Sequence, residues 1–214
     1  MSRYILYFEP SKKLREQVKE YFRLTSKLYG PTEAHQYIPH CSMTGFFTTN
    51  QIDLVQKTLE QILTNLDDSD FIVKVQNVNQ TESPHHLKKS SVSTHVESVR
   101  INIEVSEKVK MAIQLLVHTL QSNVFIREKP MDHVSLAYLS KPHLKDQFVD
   151  YSPLPYSKYA QRHFTEITQS SEWDIVLFEQ EESQNLNEPH KFTEIQRFHS
   201  KKSSNQASRP LDSE

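Results

Sequence analysis

Apolar residues near the start of the chain, Tyr4, Ile5, Leu6, Tyr7 and Phe8, run unbroken toward Pro10 and predict a short strand. Ser11 then stands as N-cap of a helix with Leu14, Val18, Phe22 and Leu28 on one face. Residues 40–48, rich in Thr and Phe, read as a second strand, and Asn50 as the cap of a helix carrying Leu54, Leu59, Ile62 and Leu66. The order then repeats. Phe71, Val73 and Val75 alternate with other residues, and Val99, Ile101, Ile103 and Val105 alternate strictly with polar ones, so both stretches predict strands. Ser106 caps a helix through Met111, Leu115, Leu116 and Leu120, and residues 131–139 form the next strand. Each half therefore offers a strand, a helix and a second strand, as a duplication would. Residues 79–98, with Pro84, His85, His86, Lys88 and Lys89, read as a long exposed hairpin loop. A strand at 173–178 and a returning one at 192–198 flank an acidic loop; residues 1–199 make one domain, and 200–214 read as a disordered tail.

Composition narrows the class. The charge balance of 25 Lys+Arg against 27 Asp+Glu, net −2, argues against sequence-blind binding to duplex DNA, which needs a concentrated basic face. No apolar stretch approaches the roughly 18 residues of a membrane span. A lone Cys41 closes no intramolecular disulfide, and no leader-like segment opens the chain, so the expected setting is a cytoplasmic monomer. Lys12-Lys13 and Lys201-Lys202 are too short to argue a nuclear signal. With only Gly30 and Gly45, the chain has no P-loop and no dinucleotide fingerprint, so any phosphate must be held by side chains. No cofactor is expected, nor a metal, since no regular Cys/His ligand spacing occurs.

Two motifs carry chemistry. His40-Cys41-Ser42-Met43 and His133-Val134-Ser135-Leu136 share the form His, any residue, hydroxyl, apolar. The tripeptide alone is weak, because roughly two His-x-Ser/Thr matches are expected by chance and a third, His163-Phe164-Thr165, also occurs. Context separates them: the first two lie in strand-like runs at corresponding places in the halves. On a strand, residues i and i+2 share a face, so each motif presents an imidazole beside a hydroxyl while its apolar residues face the packed side. One imidazole can take a proton from water, the other can protonate a leaving ribose oxygen, and two serines can hydrogen-bond the non-bridging oxygens of a phosphodiester.

These paired motifs in a duplicated strand-and-helix frame resemble the 2H phosphoesterase superfamily, over residues 3–198. The resemblance implies an α+β, bilobal duplicated 2H phosphoesterase fold: two antiparallel-sheet lobes with outer helices around a central cleft. It also implies a metal-independent phosphodiesterase acting on nucleotides or RNA ends with 2′,3′-cyclic phosphates, or on 2′,5′ linkages. It casts His40 and His133 as catalytic pair and Ser42 and Ser135 as phosphate ligands, with Ser where Thr is more usual. The motif running into Phe46-Phe47, and the 173–178 and 192–198 strands, are most similar to the phosphoesterase domain of the TULA (ubiquitin-associated and SH3-containing) proteins. Their other domains have no counterpart here, so their signalling role does not carry over.

Tyr37, Phe47, Tyr138 and Trp173 are candidates for stacking on a base, although strand parity turns Phe47 and Tyr138 away from the motif histidines unless a bulge intervenes. His85, His86, Lys88 and Lys89 are candidates to reach a phosphate from the loop; His95 and His118 read as surface groups. Competing readings are a non-catalytic nucleotide- or RNA-binding module, and an RNA 2′,5′-phosphodiesterase, ligase or RNA-end exonuclease. The sequence leaves open which histidine is acid and which is base.

Overall fold

The unbroken apolar run becomes β1 (Arg3–Glu9), covered on both faces, which is why its pattern does not alternate. The computed structural model describes residues 2–84, 95–138, 154–165, 170–181, 183, 185 and 187–200. After β1 come α1 (Lys12–Tyr29), β2 (Cys41–Ser42), β3 (Phe47–Thr48) and α2 (Ile52–Leu63). β4 (Ile72–Pro84), β5 (His95–Glu104), α3 (Glu107–Leu120) and β6 (His133–Ala137) follow. The chain continues through α4 (Leu154–His163), β7 (Ser170–Glu172), β8 (Asp174–Glu181) and β9 (Lys191–Phe198).

The fold is mixed α and β, with two antiparallel sheets. One has the order β2-β1-β8-β9, with β3 also pairing β1; the other is β6-β5-β4-β7. β1, α1 and β2 form an antiparallel pair joined through a helix, and β5, α3 and β6 form a second with the same connectivity. Their registers correspond, because Tyr7 faces Ser42 in one as Arg100 faces Ser135 in the other. No described helix is long and apolar enough to cross a membrane.

Several local readings change. Residues 40–48 do not make one strand. Met43 and Thr44 both donate their N–H to the Leu6 carbonyl, at 3.1 and 3.4 Å, while the Leu6 N–H donates to the Thr44 side-chain oxygen at 3.1 Å. Two residues thus oppose one, a bulge that separates β2 from β3. α2 is capped at Gln51 rather than Asn50. Ser106 caps α3 as expected, accepting from Lys108 N–H at 3.2 Å. Leu28, Leu54, Met111 and Leu115 are exposed, because the buried stripes fall on neighbouring rows such as Val109, Ala112, Ile113 and Leu116 in α3. β4 and β5 stay paired out to Pro84 and His95, so part of the expected 79–98 loop is strand. His85, His86, Lys88 and Lys89 lie outside the described residues, as do Lys201, Lys202 and the expected tail beyond Ser200.

β8 and β9 pair antiparallel as the 173–178 and 192–198 runs predict. Arg197 of β9 joins them to β1, donating to Glu9 and Asp174; Glu9 is buried and is also met by Arg15 at 2.8 Å. Trp173, a candidate for stacking on a base, is instead a core residue, 1% exposed, set edge-on against Phe8 at 5.6 Å. Its indole N–H donates to Ser171 at 2.9 Å. Trp173→Ala is expected to cost about 3–5 kcal/mol of stability, measured by urea unfolding.

Candidate active site

β2 and β6 bring the two motifs to one cleft of about 500 Å³, lined by His40, Ser42, His133 and Ser135 together. Parity explains how. Cys41, Met43, Val134 and Leu136, the alternate residues, are buried in the core, so the motif residues between them turn the other way. The strand that holds each motif is held in turn by a neighbour: β2 by β1 and β6 by β5. His163, the third match, ends α4 and bonds the Gln17 carbonyl at 3.1 Å, and it does not line the cleft.

The two histidines sit in unlike surroundings. His40 Nδ1 lies 2.6 Å from the Ile38 carbonyl, which can only accept, so Nδ1 carries the proton and Nε2 keeps its lone pair. Nε2 accepts from the Ser42 hydroxyl at 3.0 Å. The ring stacks on Tyr7 with centroids 3.6 Å apart. Burial pushes His40 down to about 4, against a weaker opposing pull from the Ile38 carbonyl, and a nearby His133 charge adds to the lowering. His40 is therefore neutral at pH 7. His133 instead holds Asp132 through Nδ1, at 2.6 Å. Met131, just before this pair, has φ 54°, the one non-glycine residue with positive φ among the described residues. The Asp132 carboxyl is held below its usual range by its bonds to His133 and by the charges of His133 and Arg100, which outweigh its partial burial.

The cleft walls differ as much as the histidines. On one side Ile5 and Tyr7 of β1 join Ile38, Tyr37 and Phe46 in an apolar, aromatic surface. On the other, Ser98 and Arg100 of β5 stand with Asp132, His133 and Ser135. The reason is that β1 is apolar from Tyr4 through Phe8, whereas β5 alternates from Val99 onward.

Of the stacking candidates, Tyr37 and Tyr138 line the cleft and Phe47 and Trp173 do not. Phe47 is 3% exposed and packs on Tyr4. Tyr138 escapes the parity rule because the β5–β6 register slips between Val99 and Arg100: Leu136 and Ala137 are both buried, and the next side chain returns to the cleft. His118 is exposed on α3 as expected, while the side chain of His95 lies outside the described residues. Cys41 is a free, buried thiol that burial pushes up to about 12, which makes it inert as a nucleophile.

Sequence reasoning missed Tyr7, Arg100, Arg127, Lys129 and Asp132, all of which line the cleft. The adjacency of Asp132 to His133 was a readable signal; Tyr7 and Arg100 become visible only once their strand partners are known. It also missed His35, a structural histidine. Its Nδ1 accepts from Thr32 N–H at 2.9 Å and its Nε2 meets Thr25 at 3.0 Å, and burial lowers it to about 4.

No protein-family model and no curated protein sequence matches the chain. Among the described residues, no three His, Cys, Asp or Glu side chains are grouped to hold a metal ion.

Tyr7 supplies a test of the geometry. Its hydroxyl is buried at the cleft without a hydrogen-bond partner. Because a buried hydroxyl without a partner costs the folded chain its desolvation, Tyr7→Phe should leave the unfolding free energy unchanged or raise it. Urea denaturation checks this, and a loss of more than about 1 kcal/mol would mean that the hydroxyl has a partner.

The two low-lying histidines supply a second. Above about pH 6.5 both folded and unfolded chains hold His35 and His40 neutral. Below it the unfolded chain takes up protons that the folded one refuses until about pH 4. Stability should therefore fall as pH drops from about 6.5 to about 4, and His35→Gln should flatten that slope in urea midpoints measured across the range.

Proposed function

We propose that this chain is a two-histidine phosphodiesterase that hydrolyses 2′,3′-cyclic phosphates of nucleotides or RNA ends. One observation carries the reading: two imidazole and hydroxyl pairs, on register-matched strands of two sheets, line a single cleft that also holds Arg100. The matched β1–α1–β2 and β5–α3–β6 units support the duplicated, bilobal 2H phosphoesterase fold.

The unlike surroundings of the histidines give each a role. His40, neutral and unprotonated at Nε2, is the base. The phosphate enters between Ser42 and Ser135, and the Ser42 hydroxyl turns from His40 to a non-bridging oxygen. His40 Nε2 then takes a proton from the water that attacks phosphorus. As the bond from phosphorus to one ribose oxygen breaks, His133 Nε2 gives that oxygen its proton, while Nδ1 stays on Asp132. The product is a phosphomonoester and a free ribose hydroxyl, and the proton left on His40 returns through solvent to His133. Ser42, Ser135 and Arg100 bear the charge that builds on the phosphoryl oxygens. The aromatic side of the cleft, Tyr37 and Tyr138 included, receives the base.

His40→Ala and His133→Ala should each lower kcat/KM on 2′,3′-cyclic nucleotides by about 10²- to 10⁴-fold while binding persists, measured by product separation beside equilibrium dialysis. Unchanged residual rates in both variants would sink the proposal; nucleotide binding without turnover in the wild-type chain would favour a binding module instead. In the wild type, the acid limb of kcat/KM should fall near pH 4, where His40 takes up a proton, not near the ordinary histidine value of about 6.5. Loss of activity centred near pH 6.5 would reject His40 as the base.

A further inference from the structure

Three cations, Arg100, Arg127 and Lys129, line the cleft against one carboxylate, Asp132, which is already engaged with His133. A cyclic phosphodiester carries one negative charge. Arg100 answers it: it stands opposite Ser135 in the β5–β6 register, and its Nε is shut off from solvent with no hydrogen-bond partner.

Arg127 and Lys129 remain. Both belong to a segment that pairs with the stretch just after Ser42. The Gly45 N–H donates to the Arg127 carbonyl at 2.7 Å, and the Lys129 N–H to the Met43 carbonyl at 3.1 Å. The Arg127 side chain lies over Gly45 so closely that a Cβ built there would stand 3.2 Å from Nε. Lys129 is half-buried and pairs with no carboxylate among the described residues; burial, and then Arg127, make its charged form harder to keep. Two like charges held near each other, one of them partly desolvated, repel, and an anion placed between them removes the penalty.

We infer that Arg127 and Lys129 form a subsite for a second phosphate of the substrate, apart from the phosphate that reacts. The ligand class is a nucleotide that carries a 2′,3′-cyclic phosphate and a further phosphate, supplied by a 5′-phosphate or by the adjoining phosphodiester of an RNA end. This rests on the phosphodiesterase reading above.

The test is kcat/KM for three compounds: adenosine 2′,3′-cyclic phosphate, its 5′-phosphorylated form, and the dinucleotide ApA ending in a 2′,3′-cyclic phosphate. Each is run with the wild-type chain, Arg127→Gln, Lys129→Gln and the double variant. In the wild type the second phosphate should raise kcat/KM about tenfold or more, through KM, as a charge-assisted contact does. The single variants should lower that ratio and the double variant should bring it near one. Gly45→Ala, which crowds Arg127, should lower it as well. The compound with the larger gain distinguishes a terminal from a bridging phosphate. A ratio near one in the wild type, or one that survives in the double variant, overturns the subsite while the phosphodiesterase reading stands. If the wild-type chain turns over none of the three, both fall together.

Discussion

Met43, Thr44 and Gly45 bond in two directions at once. Toward β1, Met43 and Thr44 share the Leu6 carbonyl, and the Thr44 side chain accepts the Leu6 N–H where a backbone carbonyl would in a regular strand. Toward the other sheet, Gly45 and Met43 exchange hydrogen bonds with Arg127 and Lys129. A regular strand has neighbours on both edges too, but here the bulge redirects the chain between them, so this short stretch ties the β1 sheet to the segment that leads into β6. The relation of His40 to His133 depends on that stitch. Thr44 is fully buried, and the hydroxyl that completes the pattern has no solvent to replace it.

The same constraint makes the cleft asymmetric although its frame is matched. Tyr7 and Arg100 occupy equivalent register positions, opposite Ser42 and Ser135, yet one is an aromatic ring on which His40 lies and the other is a cation beside the second motif. A frame of this kind fixes where side chains stand, and the residue types then decide what each wall does. One imidazole is desolvated and neutral, and the other is held by a carboxylate next to a residue of positive φ; the roles proposed for them rest on those environments.

How much of this was legible in the sequence depended on whether the signal was local. The alternation of Cys41, Met43, Val134 and Leu136 with the motif residues needed only strand parity, and it correctly sent the apolar set inward. The strands at 173–178 and 192–198, and the Ser106 cap, were equally local. Parity failed for Tyr138 because a bulge adds one residue, and a bulge leaves no mark in a single sequence. Phe47 and Trp173 show the limit of residue type: an aromatic side chain serves a core or a cleft equally well, and burial decides. Tyr7 and Arg100 were invisible because their roles come from cross-strand neighbours far away in the chain. Arg127 and Lys129 sit where no periodicity operates. In the helices, Leu28, Leu54, Met111 and Leu115 were misplaced since each lies just beside the stripe that packs.

The unlike walls also bear on product identity. In a cleft whose walls were interchangeable, a nucleotide could settle in either of two opposite orientations, and the two ribose oxygens would take turns departing. Under the proposed reaction, a base stacked against Tyr37 and Tyr138 could not be exchanged with a phosphate drawn to Arg100 without burying an anion on rings and a purine on a guanidinium. A substrate held in one orientation would keep the same ribose oxygen toward His133, so the proposed hydrolysis would be regiospecific.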